Sequence, residues 1–205
     1  MPADLTLLVP AFKAQVEILL VNCKNRGIEM RASDTVRSPF AQAKIWWQSR
    51  TSEEIHKKIV ELQNNNAPFL AHCLESVGPQ KGDPVTKAIP GLSWHQWGEA
   101  VDCFWVVNNK AVWDLETVVN GLNGFMVYAN EAKKLGLDAG LFWNNFKDSP
   151  HVQLRKASSP AKIFSLQEID QTMQQRFGWF LKQISKLVKT KNPNPKRLGF
   201  FNYIS

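Results

Sequence analysis

The stretch Ser93 to Trp105, SWHQWGEAVDCFW, constrains this chain more than any other. Gly98 sits in its middle, with β-branched or aromatic residues after it. That pattern predicts a strand end, a tight turn and then a strand over 100–107. Side chains alternate along a strand, so Ala100, Asp102 and Phe104 share one face while Val101, Cys103 and Trp105 share the other. A turn at Trp97-Gly98 folds His95 back beside Asp102, and Ala100 leaves room there for a metal. A catalytic zinc needs about three protein ligands from histidine, carboxylate or thiolate, with a fourth position for water.

The third ligand must come from elsewhere, among His56, His72 and His151. His151 is the best placed, at the start of a strand expected over 151–154, with Pro150 restricting the chain ahead of it. Asp148, three residues upstream, then lies close enough to act as general base on water at the zinc. Each residue also has a plainer reading: His151 as a core or surface histidine, Asp148 as a turn residue before proline. Cys103 reads as a small buried hydrophobe pointing away from Asp102.

The remaining chain suggests alternating helices and short strands. A helix is expected over 11–24 with Gly27 as its stop, and a strand over 28–33. Ser38-Pro39 reads as an N-cap with proline in the first turn, opening a helix through about Gln48. Thr51 and Glu54 have capping-box spacing. Residues 64–92 are rich in turn formers around a short helix near Ala71. A long helix is expected over 115–135, closed by Gly136, and another helical period runs over 164–188.

Charge is uneven along the chain. Its 205 residues suit one ordinary domain with a modest extension, and the formal net charge is +7. Residues 155–205 hold ten lysines or arginines against two acids, about +8, and so carry essentially all of it. Such a balance favours anionic partners: nucleic acid, a lipid surface or an acidic wall polymer. Lys182, Lys186 and Lys189 fall on one side of a helix. No 18-residue apolar run exists, so no stable membrane insertion is expected. The first twenty residues lack a basic leader and a small-residue cleavage site, so we read no secretory signal. Three widely spaced cysteines fit free thiols made in a reducing compartment.

The run Ser93-x-His95-x-x-Gly98-x-Ala100-x-Asp102 resembles the first zinc motif of a known metallopeptidase family. This is the VanY-type group of D-alanyl-D-alanine carboxypeptidases and L-alanyl-D-glutamate endopeptidases, which includes several bacteriophage endolysins. Asp148-Ser149-Pro150-His151 resembles its second motif, and Val85-Thr86-Lys87-Ala88-Ile89-Pro90-Gly91 resembles its lead-in to Ser-x-His. Together with Arg37-Ser38, Gln42 and Gln48-Ser49-Arg50-Thr51, the resemblance covers roughly residues 5 to 155. It implies zinc on His95, Asp102 and His151, and Asp148 as the base, where the wider family often has glutamate. It also implies Arg37 at the position that steadies the substrate oxyanion. Two departures stand out. Ser33-Asp34-Thr35-Val36 precedes Arg37 where the family usually has Ser-Gly-Tyr, and residues 52–83 are longer than the usual link, as a lid or a rim.

The fold expected is α+β: a small, mainly antiparallel sheet flanked by helices, with a zinc peptidase domain over 1–157 and a basic helical C-terminal extension over 158–205. The function expected is hydrolysis of a bond in the stem peptide of bacterial peptidoglycan, by an endolysin-like L-alanyl-D-glutamate endopeptidase. Two alternatives stay open: a D-alanyl-D-alanine carboxypeptidase, and a wall-binding module that kept the fold without catalysis. The expected partners are peptidoglycan and an anionic wall polymer met by the basic extension, with no nucleic acid. An enzyme made in the cytoplasm would meet wall after release or delivery by other machinery.

Overall fold

The computed structural model describes residues 3–178. Helix α1 (Pro10–Asn25) opens with proline in its first turn and buries Phe12, Val16, Leu19 and Cys23 along one stripe. Gly27, at φ 77°, ends it. Strand β1 (Glu29–Asp34) follows, burying Met30 and Ala32 by alternation. Helix α2 (Pro39–Trp47) is capped by the Ser38 side chain, and α3 (Ser52–Asn64) by the Thr51–Glu54 box. Helix α4 (Pro68–Glu75) packs against both α2 and α3.

Strand β2 (Ala100–Val107) is the hub of the sheet. Antiparallel β1 lies along one edge of it. Its other edge takes β5 (His151–Gln153) at the N-terminal end and β3 (Lys110–Val112) at the C-terminal end. Strand β4 (Asp138–Ala139) then pairs with β5. All pairs are antiparallel, and the fold is α+β.

Two cores hold these layers together. Val101, Cys103 and Trp105 on one face of β2 pack with the stripe of α1 and with Phe125, Tyr128, Ala129 and Ala132. Those four belong to α5 (Gly124–Lys134). The second core joins α2, α3 and α4 to α6 (Leu166–Phe177) through Trp46, Leu62, Leu70, Leu74, Ile169 and Met173. Full burial of side chains of this size stabilises by roughly 1.5–3 kcal/mol each. Asp170 of α6 is itself buried and accepts the Leu70 N–H at 2.8 Å, capping an α4 N-terminus that has no side-chain cap of its own. No helix among the described residues is long and apolar enough to cross a membrane.

Two local expectations need correction. The long helix over 115–135 forms only as α5. Asp114 accepts the N–H groups of Glu116 and Thr117 in a turn. Asn120 and Gly121 then adopt positive φ, and Val119 bridges to Leu122. Local side-chain bonds and a left-handed Asn-Gly turn outcompete the helix there, and Asn123 caps a new start. Residues before Gly98 are a 3-10 turn, Trp94–Trp97, and not a strand end. Within residues 52–83, where a lid or a rim is expected, the chain forms α3 and α4, which pack on each other. The helical period over 164–188 is described only through α6; its continuation, with Lys182, Lys186 and Lys189, lies outside the described residues.

Candidate metal centre

Backbone geometry brings the predicted residues together. Gly98 takes φ 72°, which costs a glycine little, and reverses the chain between His95 and β2. A side chain there would press on Leu7 and Val9, whose own N–H bonds the Gly98 carbonyl at 3.0 Å. Across the sheet, Asp102 of β2 is the register partner of His151 of β5. Opposite it on the other side, β1 carries an irregularity between Ala32 and Asp34, and the Ser33 hydroxyl bonds the Asp102 carbonyl at 3.1 Å. Bulges of this kind re-aim side chains beside sites.

His95 Nε2 lies 3.3 Å from Asp102 Oδ1, and His151 Nδ1 lies 3.0 Å from the same oxygen. Ligand atoms of the three residues all fall within 4.8 Å of one another. Tetrahedral zinc with bonds of about 2.0 Å would separate its ligand atoms by about 3.3 Å. The donor set therefore fits a zinc ion in size and type.

The protons on the two rings make the case stronger. His95 Nδ1 is 2.7 Å from the Thr35 carbonyl oxygen, which can only accept. His151 Nε2 is 3.1 Å from Gln153 Oε1, another acceptor. Each ring thus donates outward. If neutral, His95 and His151 turn bare lone pairs onto one oxygen of a half-buried carboxylate. Three acceptors converging with no donor require positive charge among them, either as ring protons or as a cation. Ring N–H groups anchored to outer acceptors are the usual support of histidine ligands.

Electrostatics follows the same pattern. Burial alone would raise the Asp102 pKa, but hydrogen bonds and charge from His151 and His95 hold it well below the usual carboxylate range. Burial alone would lower that of His151, yet the Asp102 bond, with the charges of Asp102 and Asp148, raises it.

Asp148 lies near enough to this group to feel its charges. Burial raises its pKa, as does the charge of Asp102, against opposing pulls from His151, His95 and Arg37. Its backbone N–H bonds the Gly140 carbonyl at 3.0 Å, and its carbonyl accepts the His151 N–H at 3.2 Å. A Cβ at Gly140 would collide with the Asp148 backbone oxygen, so close approach there needs glycine. Arg37, whose charge acts on Asp148, is half-buried, with its guanidinium held by Asp34 and, at 3.1 Å, by Gln42 Oε1. Gln42 in turn donates to the Ala88 carbonyl at 2.7 Å.

The other sequence candidates lie elsewhere. His56 is exposed on α3, and His72 is exposed on α4 beside Ser76. Trp94 is buried and Trp97 stacks on Phe164, so both serve packing, whereas Trp143 lies tilted against the His151 ring at 5.1 Å. Thr35, Gln153, Asp138 and Gly140 were not singled out from sequence. Gln153 had a signal, since it shares a strand face with His151. Thr35 acts through a carbonyl that any residue could offer.

Residues 86–154 match a family model described as D-alanyl-D-alanine carboxypeptidase. Over 156 residues the chain is 27% identical to the peptidoglycan L-alanyl-D-glutamate endopeptidase CwlK of Bacillus subtilis strain 168, covering 75% of each protein. Among solved structures it is similar to the Serratia marcescens L-Ala D-Glu endopeptidase ChiX, with TM-score 0.40 and 16% identity over 74% of this chain and 84% of that one.

Proposed function

We propose that this chain is a member of the VanY-type group of D-alanyl-D-alanine carboxypeptidases and L-alanyl-D-glutamate endopeptidases, that it is a zinc-dependent hydrolase of the peptidoglycan stem peptide, and that it cuts as an L-alanyl-D-glutamate endopeptidase. The observation that carries this reading is the convergence of His95 and His151 on one Asp102 oxygen, with both outer ring nitrogens already donating elsewhere. That is a pocket asking for a divalent cation. The likeness to CwlK supports the choice of an endopeptidase over a carboxypeptidase.

His95 Nε2, Asp102 and His151 Nδ1 would hold the ion. Zinc there supplies Lewis-acid polarisation of the scissile carbonyl and activation of the attacking water. Asp148 takes the proton from that water and passes it to the leaving amine. Its partial burial suits the task, because a raised pKa makes a carboxylate a stronger base. Arg37, braced by Asp34 and Gln42, has guanidinium N–H groups left over for the oxygen on which negative charge develops.

The finer reading is an endolysin-like, bacteriolytic enzyme that meets wall after release or delivery by other machinery. Three buried free cysteines suit synthesis in a reducing compartment. Positive charge concentrated over 155–205 suits a second contact with anionic wall polymer.

Digestion of purified peptidoglycan with the zinc-loaded chain, followed by mass spectrometry, tests the proposal. Fragments ending in free L-alanine, with matching peptides that begin at D-glutamate, are expected. Loss of only a terminal D-alanine would make it a carboxypeptidase, and intact wall with protein bound would make it a binding module.

A further inference from the structure

Resting on the zinc reading above, we propose that Gln153 is a positioning residue that fixes which nitrogen of His151 faces the metal. A histidine can ligate through either ring nitrogen, and the choice moves the ion relative to Asp148. Alternation along β5 puts His151 and Gln153 on one face of the strand. The amide of Gln153 is buried and its orientation is determined by what surrounds it. Its Nε2 lies 2.6 Å from the Arg155 carbonyl oxygen and 3.1 Å from that of Ala157. Asp138 Oδ2 is a third acceptor at 3.3 Å. A flipped amide would turn its oxygen onto two carbonyls that cannot donate, so Oε1 must face His151.

Only an N–H at Nε2 satisfies that oxygen, 3.1 Å away. In the neutral ring Nδ1 is then left without a proton, facing Asp102. The clamp reaches one residue further. Asp138 Oδ2 also accepts the indole N–H of Trp143 at 2.9 Å, and the Trp143 ring leans on His151. One carboxylate on β4 therefore orients both neighbours of this ligand, and the β4–β5 register that pairs Asp138 with Gln153 makes it possible. His95 is held the opposite way, by its Nδ1, so the two histidines present different nitrogens to one ion.

The test uses the full chain labelled with 15N-histidine, zinc alone as the probe, and long-range proton–nitrogen correlation spectra. The loaded protein should show His151 protonated at Nε2 and metal-bound at Nδ1, and His95 the reverse. Gln153→Met keeps length and removes the acceptor. It should lower zinc affinity by about 10- to 100-fold in chelator competition, as expected for an outer support of a ligand, and broaden or shift the His151 Nε2–H signal. A loaded wild-type protein with His151 bound through Nε2 overturns the proposal, whether or not the variant folds. So does a folded variant with unchanged zinc affinity and unchanged His151 signals. A wild-type protein that takes up no zinc overturns the zinc reading itself, and this inference with it.

Discussion

Asp102 and His151 stand directly opposite each other on β2 and β5, with Nδ1 of the histidine 3.0 Å from Oδ1 of the aspartate. Opposed pairs in an antiparallel sheet have Cβ atoms about 4.5–5.5 Å apart, which suits a pair of short ligands converging on one ion. His95 reaches the same oxygen from the turn before β2, so the sheet supplies two ligands and the Gly98 reversal supplies the third.

Removing one ligand should remove the ion. His95→Ala leaves two protein ligands where a catalytic zinc needs about three. Elemental analysis should find about one zinc per wild-type chain and next to none in the variant. Normal zinc content in the variant would show that His95 is not a ligand.

Asp148 should separate from the ligands. Asp148→Ala is expected to keep its zinc while kcat falls by roughly 10²- to 10⁴-fold, the usual range for a positioned acid–base group. Gly140→Ala should reproduce part of that loss, because its Cβ pushes on the Asp148 backbone. Zinc lost from Asp148→Ala would instead make this residue a ligand.

Zinc affinity should depend steeply on pH. In the metal-free protein the His151 pKa is raised, so a proton competes with zinc over a wider acid range than on a free imidazole. Apparent affinity should weaken by about tenfold per pH unit, for each proton displaced, as pH falls below that value. The same shift has a consequence for metal-free stability. Protonated His151 stabilises the fold fully below its unfolded pKa of about 6.5, and that contribution is lost as pH rises through the folded value. Asp102, with a lowered pKa, contributes above about pH 3.9, and its share is lost as pH falls toward its folded value. Chelator competition and denaturant melts across pH measure both effects. A flat zinc affinity between pH 5 and pH 8, roughly the range in which histidine titrates, would contradict the first.

Docking of α6 should depend on Asp170. Asp170→Ala strips a side-chain cap from the α4 N-terminus and should cost roughly 1–2 kcal/mol in urea unfolding. A change within about 0.5 kcal/mol, the range of ordinary surface substitutions, would mean that the capping bond contributes nothing.

Wall lysis should fall with added salt while cleavage of a small soluble stem peptide barely changes, since exposed charges are screened over about 8 Å at physiological ionic strength. Replacing Lys182, Lys186 and Lys189 with glutamine should flatten that dependence. Unchanged salt sensitivity in the triple variant would remove those lysines from the account.

Much of this was legible in the residues themselves, for local reasons. Capping side chains at Ser38 and Thr51 act within four residues of themselves, and the helices they open are where the pattern put them. The alternation of β2 and the reversal at Gly98 are likewise properties of adjacent residues, so the placing of His95 near Asp102 could be read directly. The helix expected over 115–135 failed on a local signal too, because Asn120-Gly121 is a turn pair that breaks it. Tertiary structure decided the rest. His151 joins Asp102 across 49 residues of chain, through a strand register that no local pattern specifies. The ring orientations depend on the Thr35 carbonyl and on a Gln153 amide clamped by the carbonyls of Arg155 and Ala157. A backbone carbonyl is the same group in every residue. Its direction is known only when the chain has folded, and here that direction determines which nitrogens face the site.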